Sequence, residues 1–101
     1  MDTNFNYVHV SASERLEEFT KEKLDKLKER FDFIVSAEVF YKTENSTSKD
    51  KGRIAEIQLS VPGPRIFASA NEENFDMAVS KTISELKTQL QKKKEKMQTH
   101  H

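Results

Sequence analysis

The residues of this chain best suited to chemistry are its cations. Lys92-Lys93-Lys94-Glu95-Lys96 sets four ammonium groups within five positions, with Lys87 just upstream. A second set, Lys23, Lys26 and Arg30, stands in the first third of the chain. Lysine is a compact charge on a long flexible stem, which suits phosphate oxygens better than base edges. The chemistry on offer is therefore non-covalent neutralisation of a polyanion. Net charge does not call for such a partner, because seventeen basic and seventeen acidic residues cancel. Their distribution does: residues 87–98 sum to +4 and residues 1–20 to −3. Screening over about 8 Å in physiological salt lets a local basic patch act on a neutral molecule. The plainer alternative is a solvated helix end, since lysines near a helix C-terminus also offset its dipole.

Reactive constellations are missing. The chain has no cysteine, which excludes disulfides and thiolate chemistry. His9 is isolated, and His100-His101 end the sequence, so no metal-ligand cluster forms. With only two glycines there is no phosphate-cradling loop, dinucleotide fingerprint or nucleophile elbow. Glu38 and Glu56 could approach each other on neighbouring strands as a carboxylate pair. Solvated carboxylates balanced by Lys42 and Arg53 are the simpler account. No enzyme activity, cofactor, metal or small-molecule substrate is expected. No apolar run nears the roughly 20 residues that span a bilayer. Met1-Asp2-Thr3-Asn4 has neither the basic nor the apolar part of a signal peptide. A cytoplasmic protein with no membrane partner is expected.

The elements that must position the cations follow from periodicity. Residues 3–10 are aromatic and β-branched and predict a strand. Ser11 or Ser13 can cap the helix that follows, Ser11 having capping-box spacing to Glu14. That helix runs to about Arg30 and buries Leu16, Phe19, Leu24, Leu27 and Phe31. Lys23 projects inside the same arc, so it must snorkel or meet a partner. Residues 34–43 alternate, with Val35, Ala37, Val39 and Tyr41 inward and Phe40 outward. Residues 44–51 predict a polar loop. Residues 53–61 alternate again, with Ala55, Ile57, Leu59 and Val61 inward. Pro62-Gly63-Pro64 forces a turn, and residues 65–70 form a last strand with Phe67 outward.

Asn71 to Asn74 read as a turn opening the final helix, whose stripe is Phe75, Val79, Ile83, Leu86, Leu90 and Met97. These six lie in a wedge about 80° wide, with Lys81, Lys92 and Lys96 roughly opposite and Lys87 and Lys94 at its edge.

The order is β-α-β-β-β-α in one domain of the α+β class. Strands one and two, joined through a helix, should be parallel; the later three should be antiparallel. Two helices side by side on one face of a four-stranded mixed sheet bury every apolar stripe. The other face stays open, with Phe40 and Phe67 as a base-stacking platform, an oligomer contact or, most simply, a cross-strand pair. The paired helices would bring Lys23, Lys26 and Arg30 to the surface that carries the lysines of the second helix.

Three stretches resemble the ribosome hibernation promoting factor family, also known as sigma-54 modulation or ribosomal S30EA proteins. One is Leu16, Phe19, Lys23, Lys26, Leu27 and Phe31-Asp32. Another is Ile66-Phe67-Ala68-Ser69-Ala70. The third is Ala78-Val79, Ile83, Leu86, Gln89-Leu90, Lys92, Lys94 and Lys96. The family often has a basic residue where this chain has Glu85 and an arginine where it has Thr88. Asn74-Phe75-Asp76 replaces its usual acidic-Met-Tyr.

The resemblance covers nearly the whole chain. It implies a fold similar to double-stranded-RNA-binding domains. It also implies binding to the small ribosomal subunit in the mRNA and tRNA channel, which blocks translation in stationary phase or stress. Expected contacts to ribosomal RNA are Lys23, Lys26, Lys87, Lys92, Lys94 and Lys96, with Lys42, Lys81 and Lys93 weaker. A ribosome-binding domain over 1–98, a frayed tail over 99–101 and a free monomer of the short form are expected. The rival outside this family is a protein-interaction module regulating a sigma factor or another partner through the open sheet face.

Overall fold

A computed structural model describes residues 1–99. The elements are β1 (Asp2–Val8), α1 (Glu14–Arg30), β2 (Ser36–Thr43), β3 (Arg53–Ser60), β4 (Ile66–Glu72) and α2 (Phe75–Thr99). The sheet order is β1-β2-β3-β4, with β1 and β2 parallel and the other pairs antiparallel. This is the β-α-β-β-β-α fold with a mixed four-stranded sheet. Of the expected tail over 99–101, Thr99 is the last residue of α2, and His100-His101 lie outside the described residues.

Several boundaries differ from the sequence expectation. Ser13, not Ser11, caps α1, its hydroxyl accepting from the Leu16 amide at 3.2 Å. Its extended backbone ends the approach from β1, and capping by serine stabilises such a helix start by about 1 kcal/mol. β4 extends two residues into the predicted turn, because Asn71 and Glu72 keep register with Ile54 and Arg53. Asn74 then caps α2, its Oδ1 accepting from the Met77 amide at 2.8 Å. Val35 is 61% exposed rather than inward, since β2 begins one residue later and Ile34 fills the core. Met97 is 47% exposed, because α2 has by then run past the sheet. The overhang makes the molecule 51 Å long.

The core lies between one sheet face and the two helices. Ala37, Val39, Tyr41, Ala55, Ile57, Leu59, Ile66 and Ala68 meet Leu16, Leu24, Leu27, Val79, Leu86 and Leu90. Each helix also inserts one fully buried threonine. The Thr20 hydroxyl lies 2.8 Å from Leu16 O and 2.6 Å from the Tyr41 hydroxyl. The Thr82 hydroxyl lies 2.8 Å from Ala78 O and 3.2 Å from Ala55 O. A threonine bonded back to its own helix leaves no buried group unsatisfied, so it can sit where hydropathy alone would place a leucine.

Tyr41 is the largest fully buried side chain, ringed by Phe5, Tyr7 and Phe75 at 5.1–6.2 Å between centroids. Tyr41→Ala should lower unfolding free energy by about 3–5 kcal/mol. Tyr41→Phe should cost only about 1 kcal/mol, because Thr20 keeps Leu16 O as a partner. Burial pushes the Tyr41 hydroxyl above its ordinary 10.0. The folded state therefore holds that proton after the unfolded chain has released it. Stability present below about pH 10 is lost as pH rises further. Urea midpoints at pH 8 and at about pH 11 should show this loss, and Tyr41→Phe should make it shallower.

A cationic cleft between two parallel helices

The sheet sets the direction of both helices. β1 and β4 point the same way, and each is followed by a helix running back across the same face. The helices are therefore parallel, and side chains 61 positions apart meet twice. Near the helix starts, Arg15 grips Asp76 through two bonds of 2.9 and 3.2 Å. Near the end of α1, the Arg30 guanidinium donates to Gln91 Oε1 at 3.1 Å. Both helix C-terminal ends thus lie at one pole of the molecule, where lysines also complement the partial negative charge of the terminal carbonyls.

Between these two pins lies a cleft of about 210 Å³ lined by Lys23, Lys26, Leu27, Arg30, Ile83 and Lys87. It continues along α2 into a groove lined by Arg30, Lys87, Thr88, Gln91, Lys92 and Glu95. Around the other flank of α2, Arg65, Gln89, Lys92, Lys93 and Lys96 line a third depression beside Pro64. Eight cations and one carboxylate thus line a continuous surface, with Lys92 on both flanks.

The expected residues divide cleanly. Lys23, Lys26 and Lys87 stand on the cleft, and Lys92, Lys93 and Lys96 on its continuation. Lys23 neither snorkels freely nor finds an acid; its Nζ sits 5.0 Å from the centre of the Phe19 ring. Lys94 is half-buried against Phe31, at 5.8 Å. Lys93 Nζ reaches the proline turn, 3.3 Å from where a Gly63 side chain would begin.

Lys42 is not part of this surface. It lies on the opposite sheet face, paired with Glu56 at 3.0 Å. Lys81 is also apart, held by Glu72 at 3.4 Å near the start of α2. Two arginines belong with the lysines. Arg30 lines both parts of the cleft, and Arg65 is brought in because β4 begins where α2 ends. The antiparallel return of α2 over β4 was the available signal for Arg65.

The back of α1 has the opposite sign. Glu14, Glu18, Glu22, Asp25 and Glu29 are all exposed, and their spacing places them on one ridge facing away from the sheet.

The open sheet face lacks the arrangement expected of a stacking pair. Phe40 lies opposite Glu56, and Phe67 opposite Gln58, with β3 between them, so they are not a cross-strand pair. Glu38 and Glu56 sit diagonally on adjacent strands but are separately engaged. Glu38 accepts from the Asn4 and Asn6 amides at 2.8 and 3.0 Å, while Glu56 holds Lys42. Those two amides hold the Glu38 carboxyl below the usual carboxylate range. A general acid needs the opposite shift. Among the described residues no cluster of His, Cys, Asp and Glu could hold a metal ion, and no helix is long and apolar enough to cross a membrane.

Comparison with known proteins bears on the family and the fold. A family model described as "Sigma 54 modulation protein / S30EA ribosomal protein" matches residues 3–98. A ribosome hibernation promoting factor from Escherichia coli K12 is 33% identical over 100 residues, covering 99% of this chain and 100% of the relative. One from Pseudomonas putida KT2440 is 31% identical, covering 98% and 92%. A ribosomal subunit interface protein from Coxiella burnetii superposes with a TM-score of 0.79 at 26% identity, covering 93% of this chain and 98% of that one. The N-terminal domain of Thermus thermophilus Protein Y shares the fold, with a TM-score of 0.77 at 19% identity, covering 91% and 98%.

The sheet-face assignment predicts a titration. Replacing Asn4 and Asn6 together by alanine should raise the Glu38 carboxyl toward the ordinary carboxylate value, followed by carboxyl-carbon NMR. An unchanged Glu38 midpoint would mean the amides do not hold it.

Proposed function

Because this chain belongs to the sigma 54 modulation protein / S30EA ribosomal protein family, we propose that it binds the small ribosomal subunit by its cationic helix pole and blocks translation there. Its curated relatives carry the name ribosome hibernation promoting factor, and the same role in stationary phase or stress is the reading for this chain. The observation that carries the binding mode is the continuous surface from Lys23 to Lys96, bounded by an acidic ridge.

The mechanism is occlusion. Lys23, Lys26, Arg30, Lys87 and Lys92 would neutralise RNA phosphates, with Lys93, Lys96 and Arg65 engaging the strand beyond. Each contact releases a condensed counter-ion, so binding draws on solvent entropy as well as Coulomb attraction. A rigid plug held in the mRNA and tRNA channel competes with both, and no bond is made or broken. The family's usual arginine is replaced by Thr88 in the middle of the groove; Lys87 and Lys92 flank it and take over that stretch. A free monomer is consistent with the like charge of the exposed pole, since two such poles repel.

Lys87→Glu combined with Lys92→Glu should weaken co-sedimentation with purified small subunits by at least about tenfold, like-charge juxtaposition at an interface being costly. Alanine at Phe40 and Phe67 should leave it unchanged. The reverse pattern, loss on removing the two phenylalanines and indifference to charge reversal, would favour a protein partner on the open sheet face.

A further inference from the structure

The cleft has a floor that phosphate binding does not require. Ile83, only partly buried against the core, is its open part, with the buried side chain of Leu27 beneath. Phosphate contact alone would be served by ammonium groups over a hydrated surface. Here hydrocarbon is left open in the middle of four cations, three from α1 and one from α2. At about 210 Å³ the cleft is smaller than the 300–1,000 Å³ typical of whole-ligand sites. It has room for one planar ring system with its charged groups left outside.

Resting on the RNA reading above, we propose that this cleft receives one unpaired nucleotide of the bound RNA. The base lies on Ile83, and the phosphates on either side meet Lys23 and Lys26 of one bank and Lys87 of the other. The Arg30 guanidinium stands at the rim, held by Gln91 at 3.1 Å and over the Phe31 ring at 5.4 Å, and adds a fixed positive charge there. Lys23 is steadied over the Phe19 ring. The occupant is set by complementarity: an apolar, flat centre between two anions matches an apolar floor between two cationic banks. The open sheet face, which has the aromatic rings, is a poorer host. Phe40 and Phe67 stand on strands with β3 between them, so they form no single floor between two cationic banks. The consequence is a preference for RNA with a splayed-out base over a continuous duplex.

Three hairpin RNAs of equal length test this by fluorescence anisotropy: one fully paired, one with a single unpaired nucleotide, and one with an abasic ribose at that position. The unpaired nucleotide should tighten binding about tenfold over both others, within the range found for one stacked base. Ile83→Thr should shrink that gap to below about threefold, read as the ratio of the two affinities within the same variant. The abasic RNA isolates the base without altering the protein, so the test does not depend on how well the variant folds. Equal affinity for all three RNAs would overturn the inference and leave the phosphate reading standing. A gap that survives Ile83→Thr would overturn the assignment to this cleft. Failure of every RNA to bind in low salt would remove both.

Discussion

Two strands that point the same way feed two helices that return across the same face, and this constraint places all the charge. With β1 and β4 parallel, α1 and α2 must be parallel, so their C-terminal halves lie together. Cations distant in sequence, Lys23 to Arg30 and Lys87 to Lys96, become neighbours without any contact between the segments having to be favourable. Like charges gathered this way repel. The helix dipoles, the Arg15–Asp76 fork and the shared core beneath hold them in place.

The two threonines show how closely the helices seat on the sheet. Thr20 and Thr82 occupy matching places, each bonded to its own preceding turn and to the sheet, one at Tyr41 and one at Ala55. Small side chains at those points let the helices settle deeply. The larger neighbours Phe19 and Ile83 are turned toward the space between the helices. There one supports Lys23 and the other floors the cleft. The seating of the helices thus decides what the functional surface is made of.

This also explains what the sequence disclosed and what it did not. Strand alternation in residues 53–61 and the stripe of the last helix were legible because each has one period and one buried face. Thr20 and Thr82 were not, since a hydropathy pattern scores them polar while their hydroxyls are satisfied internally. Phe19 and Ile83 read as core, and both do pack against its edge, partly buried. Lys42 was legible as a partner of the open-face carboxylates, whereas Lys81 could not be separated from the other lysines by charge alone. Their ion pairs to Glu56 and Glu72 arise from sheet register and from the path of β4. Phe40 and Phe67 read as partners only until strand order placed β3 between them.

The account turns on cations at one pole meeting RNA phosphate. The most direct measurement is the affinity for purified small ribosomal subunits across a salt series. Five to eight engaged cations predict a straight log–log decline with a slope between about −3.5 and −7. An affinity that does not change between low and physiological salt would contradict the account, whatever else the protein binds.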